Sequence, residues 1–363
     1  MKRLKDIRSI KYFIELAIML LLYVLFDQGG MIKYPVSLIL CMIFLWIGRK
    51  KAWSLEIIIC TAVPTVAYLL LGCFSAMLCA GSQMMTVKVL MYLLVPFVLV
   101  LSLYVFYGKE MKHMVLVQFI GCVLAYALFD APTFVKIFRW ESVFAFSFGL
   151  FALYYFYKKQ WSLFIVSSLF LIFAEKRIAI LAIFMGVFIM LLLRFFRYSK
   201  KLAMLVWSGT MVAVYGYLYL IYSGIMDAFC WGANINTNGR VEMYSRMAGE
   251  FEFSPLFFGK GLGIVENLLN FWKVERFANL HNDLLKFYIE LGFLGLFIYL
   301  ATYFVMFYMA EKFTSAAKMS CLVAISVYTM ILFATDNVSI YSLYLFPLYS
   351  IMFAVLAEEE DRK

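Results

Sequence analysis

Long apolar runs separated by short polar connections fill this chain from end to end. A helix needs about 20 apolar residues to cross the hydrocarbon of a bilayer. Such runs fall near 12–26, 33–48, 55–74, 87–107, 112–129, 142–157, 160–174, 178–195, 202–222, 293–309, 318–335 and 338–357. They cannot be the core of a soluble domain. Hydrophobic residues make up 65% of the chain and charged ones 15%, against about 45–50% apolar in ordinary globular proteins. Backbone polar groups in lipid must be satisfied internally, which isolated strands cannot do. The expected fold is an all-α polytopic membrane protein with about 12 transmembrane helices, one per run. The run 160–174 reads either as a span or as a re-entrant hairpin.

The net charge of +10 would suggest nucleic acid in a soluble protein. Here the basic residues stand in clusters between apolar runs: Lys2 to Lys11, Arg49 to Lys51, Lys109 and Lys112, Lys158 and Lys159, Arg194 to Lys201, Lys312 and Lys318. Every second connection is basic. That pattern marks the cytoplasmic side, puts both termini there, and gives no reason to invoke nucleic acid. The basic N-terminus reads as the lead of a first span, not as a cleavable signal. The seven cysteines show no metal-ligand spacing. Most read as small hydrophobes within apolar runs. Cys79 and Cys230 fall in expected outer loops, where free thiols are favoured over a disulfide.

One connection is far longer than the rest. The chain divides into nine spans over 1–222, a long extracytoplasmic loop over 223–292, and three spans with a cytoplasmic tail over 293–363. Loops of that length are functional or disordered, and the aromatic residues of this one argue against disorder. It is expected to fold against the outer membrane surface. Within it, Arg240 and Arg246 are guanidiniums with no role in topology, suited to phosphate; a surface salt bridge to Glu242, Glu250 or Glu252 is the competing reading. "SPLFFGKGLG" brings Lys260 and three glycines, a weak hint of a phosphate nest that equally describes a turn before a helix. "HNDLLKFYIELGFLG" begins with His281, one of two histidines. Its Asp283, Lys286 and Glu290 share one helical face, the pattern of an interfacial helix, and Gly292 and Gly295 let the chain turn and pack as it enters the bilayer. Position alone suits His281 to general-base chemistry or to a helix cap. Upstream, "EKR" sets Lys176 and Arg177 on the side that basic residues avoid. An anionic ligand at the outer interface would explain them.

The order of these pieces, "EKR", "NGR", "SPLFFGKGLG" and "HNDLLKFYIELGFLG" over about Phe173 to Leu300, resembles the O-antigen ligase and polymerase family, which includes Wzy-type polysaccharide polymerases. The resemblance implies a metal-independent, membrane-embedded glycosyltransferase without a cofactor. It would use an undecaprenyl-diphosphate-linked oligosaccharide at the outer face of a bacterial cytoplasmic membrane. Flippase and chain-length regulator proteins are the further partners implied, besides membrane lipids. Carried over position by position, Arg177 and Arg240 would contact diphosphate and His281 would activate the acceptor hydroxyl. Lys176, Arg246 and Lys260 would be secondary substrate contacts, and Glu290 would orient the helix or an arginine. The product expected is surface polysaccharide: O-antigen, capsule or exopolysaccharide. A ligase of the same family is the nearest alternative. A flippase or other transporter fits less well, because it would show repeated halves and midplane charges.

Overall fold

The structure is a computed structural model that describes residues 2–28, 30, 32–48, 55–78, 83–130, 141–197, 199–235, 237, 239–272, 280–311 and 315–358. Cys79, Lys136, Arg139 and Lys312 lie outside them. The described residues are helical and contain no strand. In chain order the helices are α1 (Lys2–Gln28), α2 (Lys33–Gly48), α3 (Leu55–Leu78), α4 (Gln83–Tyr107), α5 (Met111–Ala125), α6 (Phe144–Tyr157), α7 (Trp161–Phe173), α8 (Arg177–Phe195), α9 (Lys200–Tyr222), α10 (Ile225–Gly232), α11 (Arg240–Ala248), α12 (Ile264–Phe271), α13 (Asp283–Glu311), α14 (Ala316–Phe333) and α15 (Ser342–Ala357).

Each apolar run of the sequence coincides with one of these helices. Among the described residues, five stretches are long and apolar enough to cross a membrane: Thr86–Asp130, Arg177–Phe195, Lys201–Tyr222, Asp283–Tyr303 and Ala316–Phe333. The other apolar helices are shorter. The stretch from Thr86 to Asp130 is not one straight helix. Gly108 has φ 57° and opens a 3-10 turn, Gly108–Glu110, between α4 and α5.

Helices α6, α14 and α15 form the centre. Nearly every residue of α15 is buried, as are most of α6 and α14. A helix apolar on all faces belongs inside a bundle. Some of the polar groups in this core bond between helices, as expected where polar contacts help to glue a bundle. The Tyr328 hydroxyl donates to the Phe146 carbonyl at 2.9 Å and Ser147 Oγ to the Leu343 carbonyl at 2.8 Å. Thr329 and Tyr344 share a 2.7 Å contact. Around this core, α1–α3 and α7–α9 turn large apolar side chains outward, such as Trp46, Phe184 and Val212.

The long loop folds as three short helices, α10 to α12, and reaches into the bundle. Phe253 and Phe257 stack on the Tyr288 ring at 5.8 and 5.7 Å. Trp231, Leu256 and Phe271 stay exposed. The segment from Asn282 to Leu291 is not an interfacial helix: it is buried on every face. Its polar stripe meets protein groups, with Lys286 paired to Glu266 of α12. Gly292 (φ 73°, ψ −173°) then kinks α13 into its membrane-type half, in a region of backbone space that is essentially glycine's alone.

That kink is clasped by the glycine-rich segment. The Phe293 N–H donates to Phe257 O at 2.8 Å, the Lys260 N–H to Ile289 O at 2.9 Å and the Gly261 N–H to Glu290 O at 2.9 Å. A Cβ on Gly292 would sit 2.2 Å from the Phe257 oxygen. Gly292→Ala is therefore expected to cost at least about 2 kcal/mol and to lower the thermal-unfolding midpoint in detergent. Gly216→Ala, inside α9 with nothing within 4 Å of a new Cβ, is the matched control and should not lower it, because Ala is the better helix former.

Candidate functional site

Four separate pieces of chain meet at one end of the bundle: the N-terminus of α8, the N-terminus of α11, the residues before α13, and the turn after α14. The turn, residues 334–339, is held from every side. Tyr217 donates to Ala334 O at 2.7 Å and Arg240 Nη1 to Thr335 O at 2.9 Å. The Asn282 N–H donates to Asn337 Oδ1 at 3.3 Å. Asp283 accepts from the Ser339 N–H at 2.6 Å and from its hydroxyl at 2.7 Å. Asn337 is thereby buried.

Asn282, not His281, caps α13. Its Oδ1 accepts from the Leu285 N–H at 3.0 Å, an ordinary N-cap bond. His281 stands just outside the helix at φ 54°, a left-handed conformation uncommon for residues other than glycine. Tyr244 fixes it there by donating to its carbonyl at 2.9 Å. Burial, opposed by the nearby Arg240 charge, pushes the Tyr244 phenol up to about 12, so it remains a donor at neutral pH.

Asp336 joins the groups. Its side chain is 4% exposed; one oxygen lies 3.2 Å from His281 Nδ1 and the other 3.5 Å from Lys176 Nζ. The Asn337 N–H adds a bond at 2.8 Å. Burial alone would raise this carboxyl. The His281 hydrogen bond, the Lys176 charge and the Asn337 N–H outweigh it and hold the group below the usual carboxylate range. An ionised Asp336 accepts from His281 Nδ1–H, a common way for a second group to fix a tautomer. Lys176 also lies 3.3 Å from Glu141 Oε2.

Arg177 and Arg240 are each the first residue of a helix. A cation there opposes the helix macrodipole, and neither has an ion pair among the described residues. Both line one cavity of about 500 Å³ together with Lys176, Tyr217, Tyr244 and Asp336. Helix N-termini are anion sites, and here two of them carry an extra positive charge. A second, apolar groove of about 440 Å³ runs between α8, α9 and α14 past Ile189, Val214 and Met330. Tyr217 and Ala334 line both.

The remaining sequence candidates lie elsewhere. Arg246 is exposed and stacks over Trp272 at 5.3 Å. Lys260 pairs with Glu250 at 2.7 Å. Glu290 is fully buried and accepts from the Gly263 N–H at 2.8 Å and the Val265 N–H at 3.3 Å. The backbone N–H groups of Lys260 to Gly263 are all spent on protein acceptors. The turn is therefore a structural clasp, not an open phosphate nest. Among the described residues no group of three His, Cys, Asp or Glu could hold a metal ion. Asp336 stands in no motif of the sequence. Its one signal was an Asp-Asn pair between two apolar runs.

Replacing Asp336 by Asn tests the electrostatics. A carboxyl whose folded pKa is lowered adds stability above its unfolded pKa, about 3.9, and loses it as pH falls through the folded value. The melting-temperature advantage of wild type over Asp336→Asn should not shrink between pH 7 and about 5, and should close below about 4. An advantage already lost by pH 5 would show that the carboxyl titrates high, against this reading.

Residues 162–300, from α7 into α13, match the Wzy_C family model, described as O-antigen ligase. No curated protein matches the chain.

Proposed function

We propose, for a chain whose residues 162–300 match an O-antigen ligase family model, that it polymerises lipid-linked oligosaccharide repeat units by glycosyl transfer at the outer face of a bacterial cytoplasmic membrane. The family match supports a ligase- or polymerase-type glycosyltransferase in the membrane. The finer reading rests on one observation: two arginines without carboxylate partners among the described residues, both at helix N-termini, line the cavity walled by Asp336, the partner of His281.

On this reading the diphosphate of an undecaprenyl-diphosphate-linked donor lies against Arg177 and Arg240. Its prenyl tail follows the apolar groove past Tyr217. His281 Nε2 takes the proton of an acceptor hydroxyl, whose oxygen bonds to the anomeric carbon of the donor sugar. The bond from that carbon to the diphosphate oxygen breaks, and the departing negative charge stays on the arginines. Such preorganised cations are an effective way to stabilise a leaving anion. Asp336 steadies the imidazolium, and Lys176 completes the positive wall. Arg246, Lys260 and Glu290 act through the folding of the loop.

Purified protein given lipid-diphosphate-linked repeat units should produce a ladder of longer glycans on a gel. His281→Ala should fold normally and slow that growth by about 10²–10⁴-fold, the usual worth of a general base. Arg240→Ala should leave single lipid-linked repeats to accumulate in cells. Full-length polymer from both variants would overturn the site. Wild-type transfer of glycan to a different lipid acceptor, with no lengthening, would identify a ligase instead.

A further inference from the structure

Next to the cationic cavity is a second polar one, of about 250 Å³, with the opposite charge. Its wall includes Asp227, Trp231, Asn234 and Glu242. Among the described residues no lysine or arginine lines it. Cys230 and Thr237 belong to both cavities, so the two are adjoining chambers of one depression. The dividing wall is the start of α11. The Arg240 N–H donates to Thr237 O at 3.1 Å, which sends Arg240 into one chamber and leaves Glu242 in the other.

The local fold explains how these side chains come together. Asp227 and Glu242 each occupy the first turn of a helix, where the macrodipole favours a negative charge. Neither has an ion pair among the described residues. At the other end of α10, the Ile235 N–H bonds Cys230 O at 2.9 Å and the Asn234 N–H bonds Trp231 O at 3.1 Å. That is a Schellman closure with Asn234 in the left-handed position. It sets the Asn234 amide and the Trp231 ring, which is 81% exposed, on the same rim.

Carboxylates and an amide that accept and donate to hydroxyls, beside an open aromatic face that accepts the C–H face of a ring, are the chemistry of sugar recognition. Charge-assisted bonds to carboxylates are about twice as strong as neutral ones. An aromatic face adds apolar contact without directional demand. From the joined chambers we infer that Asp227, Trp231, Asn234 and Glu242 bind the sugar ring attached to the diphosphate carrier, and that the ring is neutral or amino-substituted. A uronic acid would set its carboxylate against Asp227 and Glu242. The inference rests on the proposed function, because the diphosphate in the neighbouring chamber is what delivers the ring here.

The test compares binding of farnesyl diphosphate alone with farnesyl diphosphate carrying glucose, galactose, N-acetylglucosamine or glucuronic acid. The protein is full-length and held in nanodiscs, and affinity is read by calorimetry. At least one of the three neutral sugars should tighten binding by about tenfold over the bare carrier, the worth of one or two charge-assisted bonds. Glucuronic acid should give no gain. Trp231→Ala, and separately the pair Asp227→Asn with Glu242→Gln, should abolish the gain and leave binding of farnesyl diphosphate itself unchanged. Equal gains in wild type and variants, no gain from any neutral sugar, or a gain from glucuronic acid would overturn the sugar site while leaving the diphosphate site standing. Failure of wild type to bind bare farnesyl diphosphate would overturn the proposed function, and this inference with it.

Discussion

A buried carboxylate has to be answered by donors and cations, and the answer to Asp336 organises this end of the molecule. Desolvating a lone charge is expensive, and the cost is met only by close, well-placed partners. Asp336 draws on His281 from before α13, Lys176 from before α8 and the backbone of its own turn. Three segments distant in sequence are thereby held to one point. The same turn is gripped by Tyr217 and Arg240 through its carbonyls. Remove the carboxylate, and the histidine, the lysine and the turn each lose the contact they share.

The helices were legible because lipid leaves a chain few choices. A run of apolar residues between basic clusters specifies a helix almost without regard to its neighbours. Gly292 was legible as a turn for a similar local reason. Asp336 was not, because its meaning is its partnership with a histidine 55 residues away, and a short turn between two apolar helices looks like any other. The helix after His281 misled in an instructive way. Its single polar stripe is what an interfacial helix shows, and the pattern cannot reveal whether water or another side chain meets that stripe. Glu266 meets it, from a short helix with no special mark in the sequence.

The glycine-rich segment shows the same limit. Glycines beside a lysine suggest a backbone open to phosphate. In the fold, those N–H groups close around the kink of α13, and Glu290 caps α12 from below. The arginines behave in the opposite way. For Arg240 the sequence offered surface carboxylates, yet the fold turns it, with Arg177, to a cavity at the positive ends of two helices.

Tyr217 lies on the boundary between the apolar groove and the cationic cavity. On the proposed reading, an amphiphile bound there crosses from one medium to the other at that side chain, with its phosphates on the charged side and its first isoprene units on the apolar side. Tyr217 would then act as a register mark that sets how deep the carrier sits.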